Sequence, residues 1–304
     1  MGKLKFIVTA SFAGMLAVCG ALCACKQANP PKVLPEIKYG IESEVPTVAA
    51  NDAVYSTAKV VADEDSLLKD KTFYWLGSSV TYGSASQGES MADFLSAMTG
   101  CTSVKEAVSG TTLYDDGGNG DSGARSYTRR LVNGNNFDKN ANIDAFICQI
   151  STNDARNDRL NKWGAMTDAE QTDISAFDRA TTLGGVEYII AYVYENWQCP
   201  VYFYSGGWFG DEGNRKSTNP TGTNYGKLVG EVKKIAEKWR NLGYDVGVID
   251  LFNDSDFNSK TTDDYYKWCM SDAIHPKRAG YLQWWTPYFE NFLTIHVAMG
   301  EPLE

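Results

Sequence analysis

Short apolar runs recur along the chain and alternate with stretches of helical periodicity. Thr72-Phe73-Tyr74-Trp75-Leu76 is the first run, rich in aromatic residues, and it stops at Gly77. Val104 to Val108 forms a weaker second run, and Ala145 to Ile150, Pro200 to Tyr204 and Val246 to Asp250 follow, each the length of one strand. Runs that are apolar throughout, not alternating, predict strands covered on both faces. Between them, Val186 to Trp197 is amphipathic, and Tyr225 to Leu242 has the clearest helical period. There Leu228, Val229, Val232, Ile235, Ala236 and Trp239 share one face, Lys and Glu occupy the other, and Gly243 takes the C-cap position. A closing helix is expected from about Ala279 to His296. Strands alternating with helices predict an α/β fold, a single-domain three-layer α/β/α sandwich with a mainly parallel five-stranded sheet, over residues 66–298.

The N-terminus has a different pattern. Lys3 and Lys5 precede an apolar stretch from Phe6 to Ala24 with small residues near its end, which predicts an export signal over residues 1–24. Its length leaves an uncleaved membrane anchor open. Leu22-Cys23-Ala24-Cys25 resembles the lipobox of bacterial lipoprotein signal peptides, which implies cleavage before Cys25 and lipidation of its thiol. Cys23 departs from that motif and leaves simple secretion open. The expected location is outside the cytoplasm, as a lipoprotein on the cell surface or in the periplasm, or otherwise secreted. Residues 25–65, with prolines and little periodicity, predict a tether and a packed lead-in.

Composition narrows the partners. The chain has 304 residues, 43% of them hydrophobic, with 38 Asp and Glu against 28 Lys and Arg. A formal charge of −10 and no basic stripe argue against nucleic acid. Cys19, Cys23 and Cys25 belong to the leader; Cys101, Cys148, Cys199 and Cys269 are widely spaced, with no C-x-x-C pair to hold zinc. Their disulfide pairing is not legible, but Cys148, inside an apolar run, reads as a buried thiol. No metal or organic cofactor is implied. The run Asp115 to Asp121 lacks the spacing and glutamate of a calcium loop and reads as a flexible surface loop.

Only two histidines are present. His296 lies in an apolar C-terminal run, whereas His275 follows Asp272 by three residues, where a carboxylate can orient an imidazole base. In parallel sheets, ligands bind beyond the carboxyl ends of the strands. Gly77-Ser78-Ser79-Val80-Thr81 follows the first strand, Ser109-Gly110-Thr111 the second, and Ser151-Thr152-Asn153-Asp154 the third. A serine at a strand-to-helix turn, a glycine N–H and an asparagine amide suit a nucleophile and two oxyanion donors. Singly, each residue has a plainer reading: Ser79 or Asp272 as a helix cap, Gly110 as a turn residue, Asn153 as a polar strand exit.

Together, and in this order, these residues make the chain resemble the SGNH hydrolases, the superfamily of GDSL esterases and lipases, from about Lys71 to Phe292. The resemblance implies a flavodoxin-like SGNH fold, a triad of Ser79, Asp272 and His275, and an oxyanion hole from Ser79, Gly110 and Asn153. Ser78 stands where the family has aspartate, and Ser151 where it has glycine. Ser78 leaves the nucleophile formally ambiguous, with Ser79 at the family position. The Gly-x-Ser-x-Gly elbow of α/β-hydrolases is not met, because Thr81 occupies its second glycine.

The resemblance implies ester hydrolysis on lipids, acetylated sugars, peptidoglycan or small esters. Trp163 and the stretch Ser205 to Gly210, with Trp208 and Phe209, place aromatic residues near the expected cleft and favour an acetylated glycan. Core closure by Trp208 and Phe209 stays equally open. Arg156 is a candidate substrate contact or a solvated arginine. The alternatives are a lysophospholipase-like lipid esterase and a non-catalytic glycan-binding surface module.

Overall fold

Each apolar run forms a strand within two residues of its expected bounds: β1 Thr72–Gly77, β2 Thr102–Ala107, β3 Ala145–Gln149, β4 Val201–Tyr204 and β5 Val246–Ile249. The computed structural model describes residues 45–115, 117–118, 125–208 and 220–303. The expected leader, Cys25, Phe209, Gly210 and most of the Asp115–Asp121 loop lie outside these. All four strand pairings are parallel, in the order β2-β1-β3-β4-β5. That is the flavodoxin-like order, in which the chain reverses direction across the sheet between β1 and β3.

The helices include α1 Ser79–Tyr82, α2 Met91–Thr99, α3 Tyr127–Asn133, α4 Thr182–Asn196, α5 Pro220–Asn241, α6 Asp263–Cys269, and a final helical run over residues 278–298. Successive strand residues face opposite layers. Tyr74, Leu76, Phe146, Cys148 and Phe203 pack with α3, α4 and α5, whereas Phe73, Trp75, Ile147, Tyr202 and Tyr204 pack with α2 and the final run. The six apolar positions expected on one face of α5 are all buried, each worth about 1.5–3 kcal/mol for the larger side chains. Gly243 after α5 has φ +91°, the left-handed conformation of a C-cap glycine.

The structure differs from the sequence reading in three places. The final run is not a regular helix: Tyr281–Trp285 and Thr294–Ala298 are π-helical. Asp115 is not a loose loop residue; its carboxylate is buried and pairs with Arg129 (2.7 Å) and Arg179 (3.2 Å). Asp272 does not cap the final run, which begins beyond Lys277. The lead-in packs against that run: Ala279 N donates to Ala50 O (2.9 Å), and Arg278 donates from N to Asn51 Oδ1 (3.0 Å) and from Nη1 to Asn51 O (3.3 Å). Cys101, Cys148, Cys199 and Cys269 are all buried. Burial pushes the Cys199 thiol up to about 12. Among the described residues, no helix is long and apolar enough to cross a membrane.

Candidate active site

The reversal between β1 and β3 puts the ends of these two strands side by side, with Leu76 opposite Cys148. The chain leaves β1 at Gly77, and Ser78 precedes α1 in an N-cap conformation but makes no side-chain cap. Its hydroxyl lies 3.3 Å from Gln149 Oε1 and is fully buried. Ser79, the first residue of α1, points the other way, its Oγ 2.8 Å from Nε2 of His275. That geometry separates the two serines: Ser78 bonds into the scaffold, and Ser79 faces the imidazole.

A residue not recognised from the sequence holds this turn. Gln149, the last residue of β3, accepts at Oε1 from Ser78 N (2.9 Å), Thr81 N (3.3 Å) and Thr81 Oγ1 (2.8 Å). Thr81 Oγ1 has one proton and gives it to Gln149, so the Tyr204 hydroxyl at 2.6 Å is the donor to Thr81. The fit requires glycine at 77, since a Cβ there would lie 1.7 Å from Thr81 Oγ1. The only signal in the sequence is a polar residue at the end of an otherwise apolar strand.

His275 sits in a loop closed by an antiparallel bridge between Met270 and Pro276, with Ser271 N donating to His275 O at 2.8 Å. Asp272 Oδ1 accepts from the backbone N–H groups of Ile274 and His275, both at 2.8 Å. The same carboxylate meets His275 Nδ1 at 2.9 Å through Oδ1 and 2.8 Å through Oδ2. Burial alone would raise its pKa, but the imidazole and these N–H groups outweigh burial and hold it at about 2. An ionised carboxylate only accepts, so Nδ1 carries the ring proton and Nε2 presents a lone pair to the Ser79 hydroxyl.

Gly110 and Asn153 lie in the loops that follow β2 and β3. Gly110 is exposed with φ +81°, and no atom lies within 4 Å of where a side chain would start. Asn153 donates through Nδ2 to Thr111 O (3.0 Å), and its second amide proton has no acceptor among the described residues. The N–H groups of Ser79 and Gly110 have no acceptor among the described residues. Behind Asn153, Asp154 is fully buried and accepts from Leu113 N (3.1 Å) and Thr182 Oγ1 (2.8 Å). Burial raises its carboxyl to about 6 despite these bonds.

The substrate contacts expected from the sequence fare differently. Trp208 is half-buried and lines a partly open recess with Thr152, Gly206, Gly207, Ile274 and Trp285 among its other walls. The recess has room for about one water- or methyl-sized group. Its walls include Thr152 and Ile274, the chain neighbours of Asn153 and His275. Arg156 is exposed and pairs with Asp158 at 3.2 Å. Trp163 packs against the core and donates from Nε1 to Asp154 O at 2.8 Å, which steadies that turn. His296 packs against Phe292 with the two rings tilted by 50°, and its Nδ1 is 2.8 Å from Glu301 O. Among the described residues, no group of three or more His, Cys, Asp or Glu side chains is arranged to hold a metal ion.

A serine hydroxyl bonded to an imidazole, itself bonded to a carboxylate, is an arrangement able to run nucleophilic acyl transfer. No family model and no curated protein matches the chain. Among solved structures, one chain with 19% identity superposes with a TM-score of 0.54, over 75% of this chain and 97% of its own. A protein from Lactobacillus plantarum, 20% identical, gives 0.53 over 75% and 98%. A carbohydrate acetylesterase family member from Sinorhizobium meliloti, 15% identical, superposes more loosely, with a TM-score of 0.47 over 76% and 100%. These likenesses are of fold.

Proposed function

We propose that this chain is a serine esterase of the SGNH type. It hydrolyses esters of small acyl groups, acetate foremost, on carbohydrate or another small alcohol outside the cytoplasm. The observation that carries this reading is the relay from Asp272 through His275 to the Ser79 hydroxyl, each step within 2.9 Å. Ser79 Oγ attacks the ester carbonyl as His275 Nε2 takes its proton. The oxyanion is received by the N–H groups of Ser79 and Gly110 and the second amide proton of Asn153. Collapse expels the alcohol, which takes the proton back from His275, and water repeats the sequence to release the acid. Asp272 stays ionised throughout and steadies the imidazolium formed at each attack.

The small-acyl assignment draws on the recess. An acetyl methyl fills a space of that size, while longer chains meet Trp208, Trp284 and Trp285. Location outside the cytoplasm draws on the leader pattern, and carbohydrate on the Trp208 ring beside the recess. The test is a series of p-nitrophenyl esters from acetate to octanoate, run with wild type and Ser79→Ala beside acetate release from acetylated oligosaccharides. A steep fall beyond acetyl, with all turnover lost in Ser79→Ala, supports the reading. Rates that climb with chain length would overturn the small-acyl assignment. Equal rates in wild type and Ser79→Ala would overturn serine catalysis.

A further inference from the structure

Arg130 lies on α3 and is not part of the relay, yet it is almost wholly buried, and all five of its N–H protons are used. Nε donates to Arg125 O at 2.9 Å. Nη1 donates to Glu106 O (2.9 Å) and Glu106 Oε1 (3.1 Å) at the end of β2. Nη2 donates to Gly77 O (2.8 Å) and Thr111 Oγ1 (3.2 Å). The partners of this last nitrogen are informative. Gly77 O belongs to the peptide that leads into Ser78 and Ser79, and Thr111 follows Gly110.

Thr111 in turn reaches the third oxyanion donor. Its hydroxyl donates to Val108 O (2.7 Å), and its carbonyl accepts from Asn153 Nδ2 (3.0 Å) and Ser151 Oγ (3.0 Å). One guanidinium nitrogen therefore ties the strand exit that carries Ser79 to the loop that carries Gly110, and through Thr111 to Asn153. A buried ion pair with Glu106 is by itself weak support for stability. A planar fork saturated against backbone carbonyls at two strand ends is suited to fixing a distance between them.

We infer that Arg130 is a positioning residue for the oxyanion-binding rim, setting the spacing of Ser79, Gly110 and Asn153. The inference rests on the serine-esterase reading above. Arg130 touches no substrate atom; it acts through Gly77 and Thr111. Lysine cannot replace it, because one ammonium cannot reach three loops in a plane. Loss of the fork lets the donors drift, and catalysis that depends on an oxyanion suffers more than substrate binding.

The experiment measures kcat and KM for Arg130→Lys, Arg130→Met, Arg130→Ala and Thr111→Val on an acetate ester and on the matching thionoester, whose sulfur accepts hydrogen bonds poorly. Melting temperatures and Ser79→Ala accompany them. Expected in the Arg130 variants is a kcat loss of about 10- to 100-fold with KM within about twofold. The preference for oxygen over sulfur should shrink, and added ethylguanidine should partly restore Arg130→Ala. A merely structural arginine would change the melting temperature without changing the oxygen-to-sulfur ratio. Folded Arg130→Met with wild-type kcat and ratio overturns the inference. If the Arg130 variants do not fold, Thr111→Val decides: a lowered kcat and ratio support it, and wild-type values overturn it. Ser79→Ala separates the two levels. If that variant keeps wild-type turnover, the esterase reading fails and the inference with it; if it is inactive, the Arg130 results stand on their own.

Discussion

Asparagine at position 272 is the sharpest single perturbation of the site. In Asp272→Asn the side-chain oxygen can keep the two backbone bonds to Ile274 and His275, so the loop retains its shape. The amide nitrogen then faces Nδ1 at the position Oδ2 held, 2.8 Å away, and donates to it. Nδ1 can no longer carry the ring proton, which moves to Nε2 and points at Ser79 Oγ. The base is then blocked by its own proton. A buried triad aspartate replaced this way loses roughly 10⁴ in kcat. Asp272 is partly exposed, with 54% of its side chain accessible, so water can relieve the wrong tautomer, and the expected loss is about 10²–10³. KM should stay within about twofold, because no substrate contact changes. Initial rates on a chromogenic acetate ester across an ester concentration series measure both constants. A kcat within about twofold of wild type would refute the tautomer argument, as would a loss expressed only in KM.

Three further outcomes follow from the residues that hold the site in place. Gln149→Leu strips the buried N–H groups of Ser78 and Thr81 of their acceptor, at about 1–3 kcal/mol each; urea unfolding should show the loss, and kcat should fall as the nucleophile turn loosens. Gly77→Ala drives a Cβ to within 1.7 Å of Thr81 Oγ1 and should cost about 1–3 kcal/mol, with part of that recovered in the double variant carrying Thr81→Ala, which removes that oxygen. Asp154 binds its proton more tightly folded than unfolded, since its carboxyl rises from 3.8 to about 6. Stability from this group therefore falls as pH climbs through that window and levels off above it, a change on the order of 3 kcal/mol. Asp154→Asn should flatten the slope of urea midpoints between pH 4 and 7; parallel profiles for the two proteins would contradict the assignment.

The layers of the fold were legible because they rest on local pattern. Five apolar runs became five strands, and the repeat from Leu228 to Trp239 became the buried face of α5. Helices α2 and α3 escaped notice, since nine and seven residues hold too few turns to establish a period. The two π-helical segments of the final run, one of which contributes Trp284 and Trp285 to the recess, leave no mark in hydrophobic spacing. Ser79, Asp272 and His275 stood out because histidine is scarce and the order of motifs is distinctive. Gln149 and Arg130 did not, because their partners are distant in sequence: Gln149 works across 71 positions to reach Ser78, and Arg130 across 53 to reach Gly77. A residue that acts by holding a backbone carries no motif of its own. Trp163 stands close to the cleft loops in sequence, but its N–H fastens the Asp154 turn.

Trapping the covalent intermediate tests the central claim most directly. A slowly deacylated or phosphonate ester is added, the reaction is quenched in acid, and the adduct is located by peptide mass spectrometry in wild type, Ser79→Ala and His275→Ala. The account expects one modification on Ser79 in wild type, none in Ser79→Ala, and sharply slower labelling in His275→Ala. An adduct on Ser78, or labelling that proceeds unchanged without the imidazole, would contradict it.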